Sequence, residues 1–104
     1  FFINSYSCPF MTATFDVKES CRKDIPAVTH VDGTARVHTV NRESSGLYHE
    51  LIENFGRISG IPVVLNTSFN VRGQAIVEHP RQAVSTFYGS GLNALVLGNF
   101  LLRK

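Results

Sequence analysis

Ile61-Pro62-Val63-Val64-Leu65-Asn66-Thr67-Ser68-Phe69-Asn70-Val71-Arg72-Gly73 changes character in its middle. The first half is a short apolar run after Gly60, which predicts a buried strand. Asn66, Thr67, Ser68 and Asn70 then bring hydrogen-bonding side chains in quick succession, and Arg72-Gly73 follow. A strand that leaves the core into a small polar loop is a common way for α/β folds to hold a ligand. The strand fixes the loop and the loop carries the polar groups. Hydroxyls, amides, backbone N–H groups and an Arg suit a phosphate or a nucleotide. A polar turn that satisfies its own backbone fits the same residues.

On the N-terminal side of this stretch, Leu47, Leu51, Phe55 and Ile58 recur at helical spacing. They predict a helix over 46–59, with Ser44 or Ser45 as its cap and Gly60 as its end. Glu50, Glu53 and Arg57 fall outside that stripe, so the helix reads as scaffold. On the C-terminal side, Gln74–Val77 reads as a short strand and His79-Pro80 opens a second helix, with Ala83, Val84, Phe87 and Tyr88 on its buried face. Leu92–Asn99 reads as a strand too apolar for an exposed edge, and Phe100–Lys104 as a tail with a charged end.

Before the first helix, Phe10–Val17 has the rough alternation of a strand, Lys18–Asp24 reads as a loop, and Ile25–Val28 as extended chain because Pro26 biases Ile25 away from helix. Asp32-Gly33 is a strong turn signal between two β-like runs. In the second run Arg36 and His38 share a face. An Arg amid apolar strand residues needs a partner, either a ligand phosphate or carbonyl or a carboxylate such as Asp32. The order β, β, α, β-loop, β, α, β gives an α/β class, a mixed twisted sheet with helices packed on it.

Composition bounds the function. The 104 residues suit a single domain over 1–104, and 43% hydrophobic content supports one modest core. Ten Lys and Arg are scattered, so no basic stripe marks a nucleic-acid partner. No apolar run has the length of a membrane span, and no signal peptide is visible, so a cytoplasmic protein is expected. Cys8 and Cys21 form no CxxC pair and no zinc pattern with His30, His38, His49 or His79, so two free thiols and no metal site are expected. The chain starts at Phe1, and Phe1-Phe2-Ile3 is apolar, which suggests a fragment covered by something upstream or a homodimer contact.

Thr29–Val37 (THVDGTARV), Val64–Gly73 (VLNTSFNVRG) and Ala94–Leu102 (ALVLGNFLL) together resemble the C-terminal region of the NodU/CmcH-type O-carbamoyltransferases, over about Met11 to Lys104. The resemblance implies part of a YrdC-like α/β fold. It implies a carbamoyltransferase that makes carbamoyl-adenylate from ATP, carried with Mg, and carbamoyl phosphate. A separate N-terminal actin-like, metal-binding domain would then pass the carbamoyl group to an acceptor hydroxyl. By this resemblance Ser68 and Asn70 contact nucleotide phosphate or ribose, with Asn66 and Thr67 beside them. Arg36 and Arg72 are the catalytic cations, and His30 is a further candidate. Gln74-Ala75 stands where the family usually has Glu-Pro, His38 where Gln is common and Asn93 where Asp is frequent.

The first half of a YrdC-like domain supplies further basic residues, and neither it nor the acceptor domain is present. The chain is therefore expected to be a C-terminal fragment that holds half of an adenylate site and is inactive alone. Two other readings are a nucleotide-binding module without transfer activity and a YrdC-like RNA-binding domain. The scattered charge disfavours the last.

Overall fold

The computed structural model describes residues 1–104, which fall into two units, Phe1–Asn66 and Thr67–Lys104. The α/β class read from the sequence holds: two α-helices accompany two small antiparallel sheets of two strands each.

In the first unit Thr14–Asp16 (β1) pairs with Thr34–Arg36 (β2), with Phe15 opposite Ala35. The pleat sends Phe15 and Ala35 inward and leaves Thr14, Asp16 and Arg36 exposed. Asp32-Gly33 makes the expected turn. His30 N–H donates to the Thr34 carbonyl at 2.7 Å, and Gly33 holds φ +85°, which a side chain would resist. The N-terminal stretch adds a third ply: Phe2 bridges Val17, and Ile3 N–H donates to the Asp16 carbonyl at 2.9 Å. Val17, Ile25 and Ala35 form the core, with Phe1, Phe2 and Val63 packed against it.

The strand expected at Phe10–Val17 and the β-like run expected after Asp32-Gly33 are shorter than predicted. The ladder loses its partner where the chain turns at Met11, whose φ is +55°. The expected loop at Lys18–Asp24 contains a 3₁₀ turn, Glu19–Cys21, and Pro26–Val28 closes as a second one instead of extended chain. Pro26 takes its first position, where a missing N–H costs nothing. Cys8 is buried, Cys21 is half-buried, and both are free thiols.

Gly46–Ser59 (α1) forms over the predicted residues and ends at Gly60 with φ +80°. Its roll differs from the prediction. Tyr48, His49, Ile52 and Glu53 are half-buried, whereas Leu47, Leu51, Phe55 and Ile58 are exposed. The cause is Gly56: a Cβ there would lie 2.8 Å from the Pro62 Cβ, so the returning chain packs against the glycine side of the helix. Ile61–Leu65 is therefore not a strand. Pro62 has no N–H, and Val63 N–H donates to the Ile61 carbonyl at 2.9 Å, so the segment turns on itself and joins no ladder.

In the second unit Pro80–Tyr88 (α2) starts where predicted and buries Ala83, Thr86 and Phe87. Gln82 Oε1 accepts from the backbone N–H groups of Glu78 and His79 at 3.1 and 3.2 Å, which ties the first turn. Ala94–Leu97 (β3) and Phe100–Arg103 (β4) make a hairpin with Leu97 opposite Phe100. Gly98, at φ +58°, supplies the left-handed residue that a two-residue turn needs. Phe100–Lys104, read as a tail, is thus mostly a strand. Helix α2 packs on β3, yet Val96 is 70% exposed, so the strand read as too apolar for an exposed edge does have an exposed side. Gln74–Val77 stays irregular as well, with Val77 N–H donating to the Phe69 carbonyl at 2.9 Å and no ladder beyond it. No helix is long and apolar enough to cross a membrane.

Phe87 is fully buried and Phe10 is 82% exposed. In chemical denaturation Phe87→Ala is expected to lower stability by roughly 3 kcal/mol through the cavity it leaves. Phe10→Ala is expected to stay within about 0.5 kcal/mol of wild type.

Candidate functional site

The first unit contains a cavity of about 630 Å³, a volume suited to a small-molecule ligand. The end of β2 and its continuation form one wall, the inward face of α1 a second and Pro62–Asn66 a third. Val28, Val37, Ile52 and Val63 give it an apolar lining, and His30, Arg36, His38, His49 and Asn66 give it polar groups.

Each polar group is held differently. His30 Nδ1 lies 3.0 Å from Thr34 Oγ1, and that hydroxyl donates to Asp32 Oδ1 at 2.8 Å. The hydroxyl proton is committed to Asp32, so His30 is the donor through Nδ1–H, and its Nε2 is the acceptor when the ring is neutral. Asp32 also accepts from Thr34 N–H at 3.0 Å. The Thr34 backbone and hydroxyl bonds, with His30 nearby, hold the Asp32 carboxyl below its ordinary range.

Arg36 is exposed at the end of β2 and takes part in none of the ion pairs, which join Glu53 to Arg42 and Arg57 and Glu78 to His79. It is a cation free to meet an anion. Asn66 Nδ2 donates to His38 Nδ1 at 3.0 Å and to Met11 Sδ at 3.2 Å, so both amide hydrogens are engaged. His49 Nδ1 is buried and has no hydrogen-bond partner.

The second unit carries the rest of the polar loop. Ser68 Oγ donates to Asn70 Oδ1 at 2.6 Å, and Asn70 Nδ2 donates to the Gln74 carbonyl at 2.9 Å. Gln74 braces the loop from both sides: its Oε1 accepts from Val71 N–H at 3.2 Å, and its Nε2 lies 3.0 Å from the hydroxyl of buried Thr86 on α2. Gly73, at φ +84°, makes the bend between them. Thr67 and Arg72 are exposed.

Among the residues that the sequence singles out, His30, Arg36 and Asn66 share the cavity of the first unit. Thr67, Ser68, Asn70 and Arg72 lie in the second unit, where Ser68 and Asn70 bond to each other and to backbone. Tyr48 and His49 escape the sequence reading because a helix with a clear apolar stripe reads as scaffold. The overlooked signal is Gly56, a residue that admits close packing on the face those two side chains share. Gln74 and Thr86 escape it because nothing local links them.

The carbamoyltransferase C-terminus family profile matches residues 1–104. The chain is 46% identical over 96 residues to nodulation protein NolNO of Sinorhizobium fredii, which covers 92% of this chain and 14% of the relative. It is 42% identical over 104 residues to an uncharacterized protein, MJ1051, of Methanocaldococcus jannaschii, covering 100% of this chain and 20% of that one. It is 33% identical over 98 residues to a 3'-hydroxymethylcephem-O-carbamoyltransferase of Amycolatopsis lactamdurans, covering 94% and 18%. The chain thus spans no more than a fifth of the length of these relatives.

Thr86→Val removes the hydroxyl that meets Gln74. It is expected to destabilise the second unit by about 1 kcal/mol and to speed amide exchange at Val71, read by hydrogen exchange. The folded Asp32 carboxyl titrates below its unfolded value, so its contribution is complete above that value and is lost as pH falls below about 4. Asp32→Asn keeps an acceptor for Thr34 and removes the titration. Acid titrations followed by NMR should show the His30–Thr34 turn of this variant insensitive to pH in that window.

Proposed function

The chain belongs to the carbamoyltransferase C-terminal family, and we propose that it is the C-terminal part of a longer carbamoyltransferase. That enzyme would form carbamoyl-adenylate from ATP and carbamoyl phosphate and pass the carbamoyl group to an acceptor hydroxyl. The observation that carries the proposal is the family match across residues 1–104, together with an unpaired Arg36 on a ligand-sized cavity. One relative is named for carbamoyl transfer to a 3'-hydroxymethylcephem, which supports a hydroxyl as acceptor.

Carbamoyl-adenylate formation first splits carbamoyl phosphate with water into carbamate and inorganic phosphate, and then joins a carbamate oxygen to the α-phosphorus of ATP as the bond to the leaving pyrophosphate breaks. Charge builds on phosphate oxygens, so positioned cations and donors supply most of the rate. Arg36 and Arg72 take the role of cations, and their guanidinium forks suit phosphate. Ser68 and Asn70 offer a hydroxyl and an amide to the nucleotide from a loop already shaped by Gln74. Asn66 and Thr67 stand at the start of that loop, and His30 offers Nε2. No group of three or more His, Cys, Asp or Glu side chains is placed to hold a metal ion. Magnesium would arrive on the nucleotide phosphates, where it neutralises their charge. The actin-like acceptor domain belongs to sequence outside this chain.

The test uses the full-length polypeptide and follows carbamoyl-phosphate-dependent release of pyrophosphate from ATP. Arg36→Ala is expected to slow release about 100-fold, the usual loss for one electrostatic contact to the transition state. Arg81→Ala, exposed on α2, should leave it unchanged. No pyrophosphate release from the wild-type protein would overturn the proposal.

A further inference from the structure

Two histidines that line the cavity of the first unit hold their protons on opposite nitrogens. His30 donates through Nδ1–H to the Thr34 hydroxyl. His38 does the reverse. Asn66 Nδ2 lies 3.0 Å from His38 Nδ1 and 3.2 Å from Met11 Sδ. A thioether sulfur has no proton and only accepts, so the amide must turn its NH₂ toward Met11. The same NH₂ then meets His38. Its Nδ1 is left as the acceptor, and its proton sits on Nε2.

This three-way contact works only for a neutral ring. A protonated imidazole carries N–H on both nitrogens, so Nδ1–H and the amide NH₂ would meet donor to donor. Turning the amide over offers Oδ1 to His38 but sets that oxygen against the Met11 sulfur, acceptor to acceptor. Each orientation leaves one contact unmade. Asn66 is exposed, so water can take the amide that the pair rejects.

We propose that His38 is a positioning residue for Asn66, which holds the amide while its ring is neutral and releases it when the ring takes a proton. The consequence for the ligand rests on the reading of Asn66 as the start of a nucleotide loop: release weakens nucleotide binding as pH falls through the histidine range, from about pH 8 to about pH 5.

Other titratable groups surround the ring. Arg36 and His30 come from β2 and the turn before it, and Tyr48, His49 and Glu53 come from α1, with the Tyr48 ring centre 6.1 Å from that of His38. Glu53 is engaged by Arg42 and Arg57. On the N-terminal segment Cys8 pairs its backbone carbonyl with Thr39 N–H, and its thiol lies 3.7 Å from the Thr12 hydroxyl. The segment Pro62–Asn66 brings no titratable side chain. Only Asn66 is hydrogen-bonded to the His38 ring, so the ring's own proton decides what the amide meets.

The test uses the full-length polypeptide with isotope-labelled asparagine, and the Asn66 side-chain NMR signals are identified by their loss in Asn66→Asp. In wild type they should move between about pH 8 and about pH 5 to the positions of a water-exposed amide. In His38→Gln, whose Oε1 accepts from the same NH₂ and does not titrate, they should stay in place. A wild-type amide that does not move, or that moves equally in His38→Gln, overturns the proposal. The second readout is the KM for ATP in pyrophosphate release, divided by that of His38→Gln at the same pH. The ratio should be about 1 at about pH 8 and rise about 5-fold by about pH 5.5, through the loss of one hydrogen bond. In Met11→Leu the amide can turn over and keep the protonated ring, so the rise should stay below about 2-fold. An equal rise in Met11→Leu overturns the part assigned to the sulfur, and a flat ratio beside a moving amide overturns the link to the nucleotide. Circular dichroism at each pH identifies unfolding. If no pyrophosphate is released at any pH, the functional reading falls and the amide titration alone decides the switch.

Discussion

A single missing methyl group decides how the first unit is built. Gly56 sits in the interior of α1, where glycine costs the helix about 1 kcal/mol relative to alanine. Its return is contact: Pro62 packs so close that a Cβ at position 56 would sit 2.8 Å from the Pro62 Cβ. That contact sets the roll of the helix. It turns Tyr48, His49 and Ile52 toward β2 and the 62–66 segment, and so makes a cavity of about 630 Å³ between three walls. It also turns Leu47, Leu51, Phe55 and Ile58 to the outside. The cavity and the exposed apolar stripe are two faces of one geometric choice.

The parts legible in the sequence are those whose signals are local. Both helices fall where spacing, Pro80 and Gly60 place them, because a helix satisfies its own hydrogen bonds and carries its own stop signals. Asp32-Gly33 turns as read for the same reason. Strands were less legible, since a strand exists only with a partner. Val63-Val64-Leu65 has the composition of a buried strand, yet it follows a proline and finds no ladder. Conversely, Phe100–Arg103 is a strand because Gly98-Asn99 folds it back onto Ala94–Leu97.

The site divides along the same line. His30, Arg36 and Asn66 were legible as polar residues in the company of strand formers, and the structure gives them a common cavity. What chain order hides is the set of contacts that hold such residues still. Asn66 is pinned by His38 and Met11, far away in sequence, and the loop of Ser68 and Asn70 is pinned by Gln74 and Thr86. A polar loop shaped by side-chain amides is ordered before any ligand arrives, and such ordering lowers the entropic cost of binding. The bonds that order it occupy some of its donors, so a ligand on this loop would exchange partners with little net creation of new bonds.

The contact between Gln74 and Thr86 bears on how the sequence can vary. An amide offers both a donor and an acceptor to the hydroxyl, whereas a carboxylate offers acceptors alone. The Thr86 hydroxyl meets both ends of the Gln74 amide: its oxygen accepts from Nε2 at 3.0 Å and its hydrogen reaches Oε1 at 3.2 Å. A carboxylate at position 74 would keep the second contact and lose the first, while Val71 N–H, 3.2 Å from Oε1, would keep its acceptor. The hydroxyl on α2 thus keys position 74 to an uncharged amide, and the loop between Ser68 and Gly73 takes its shape from that match.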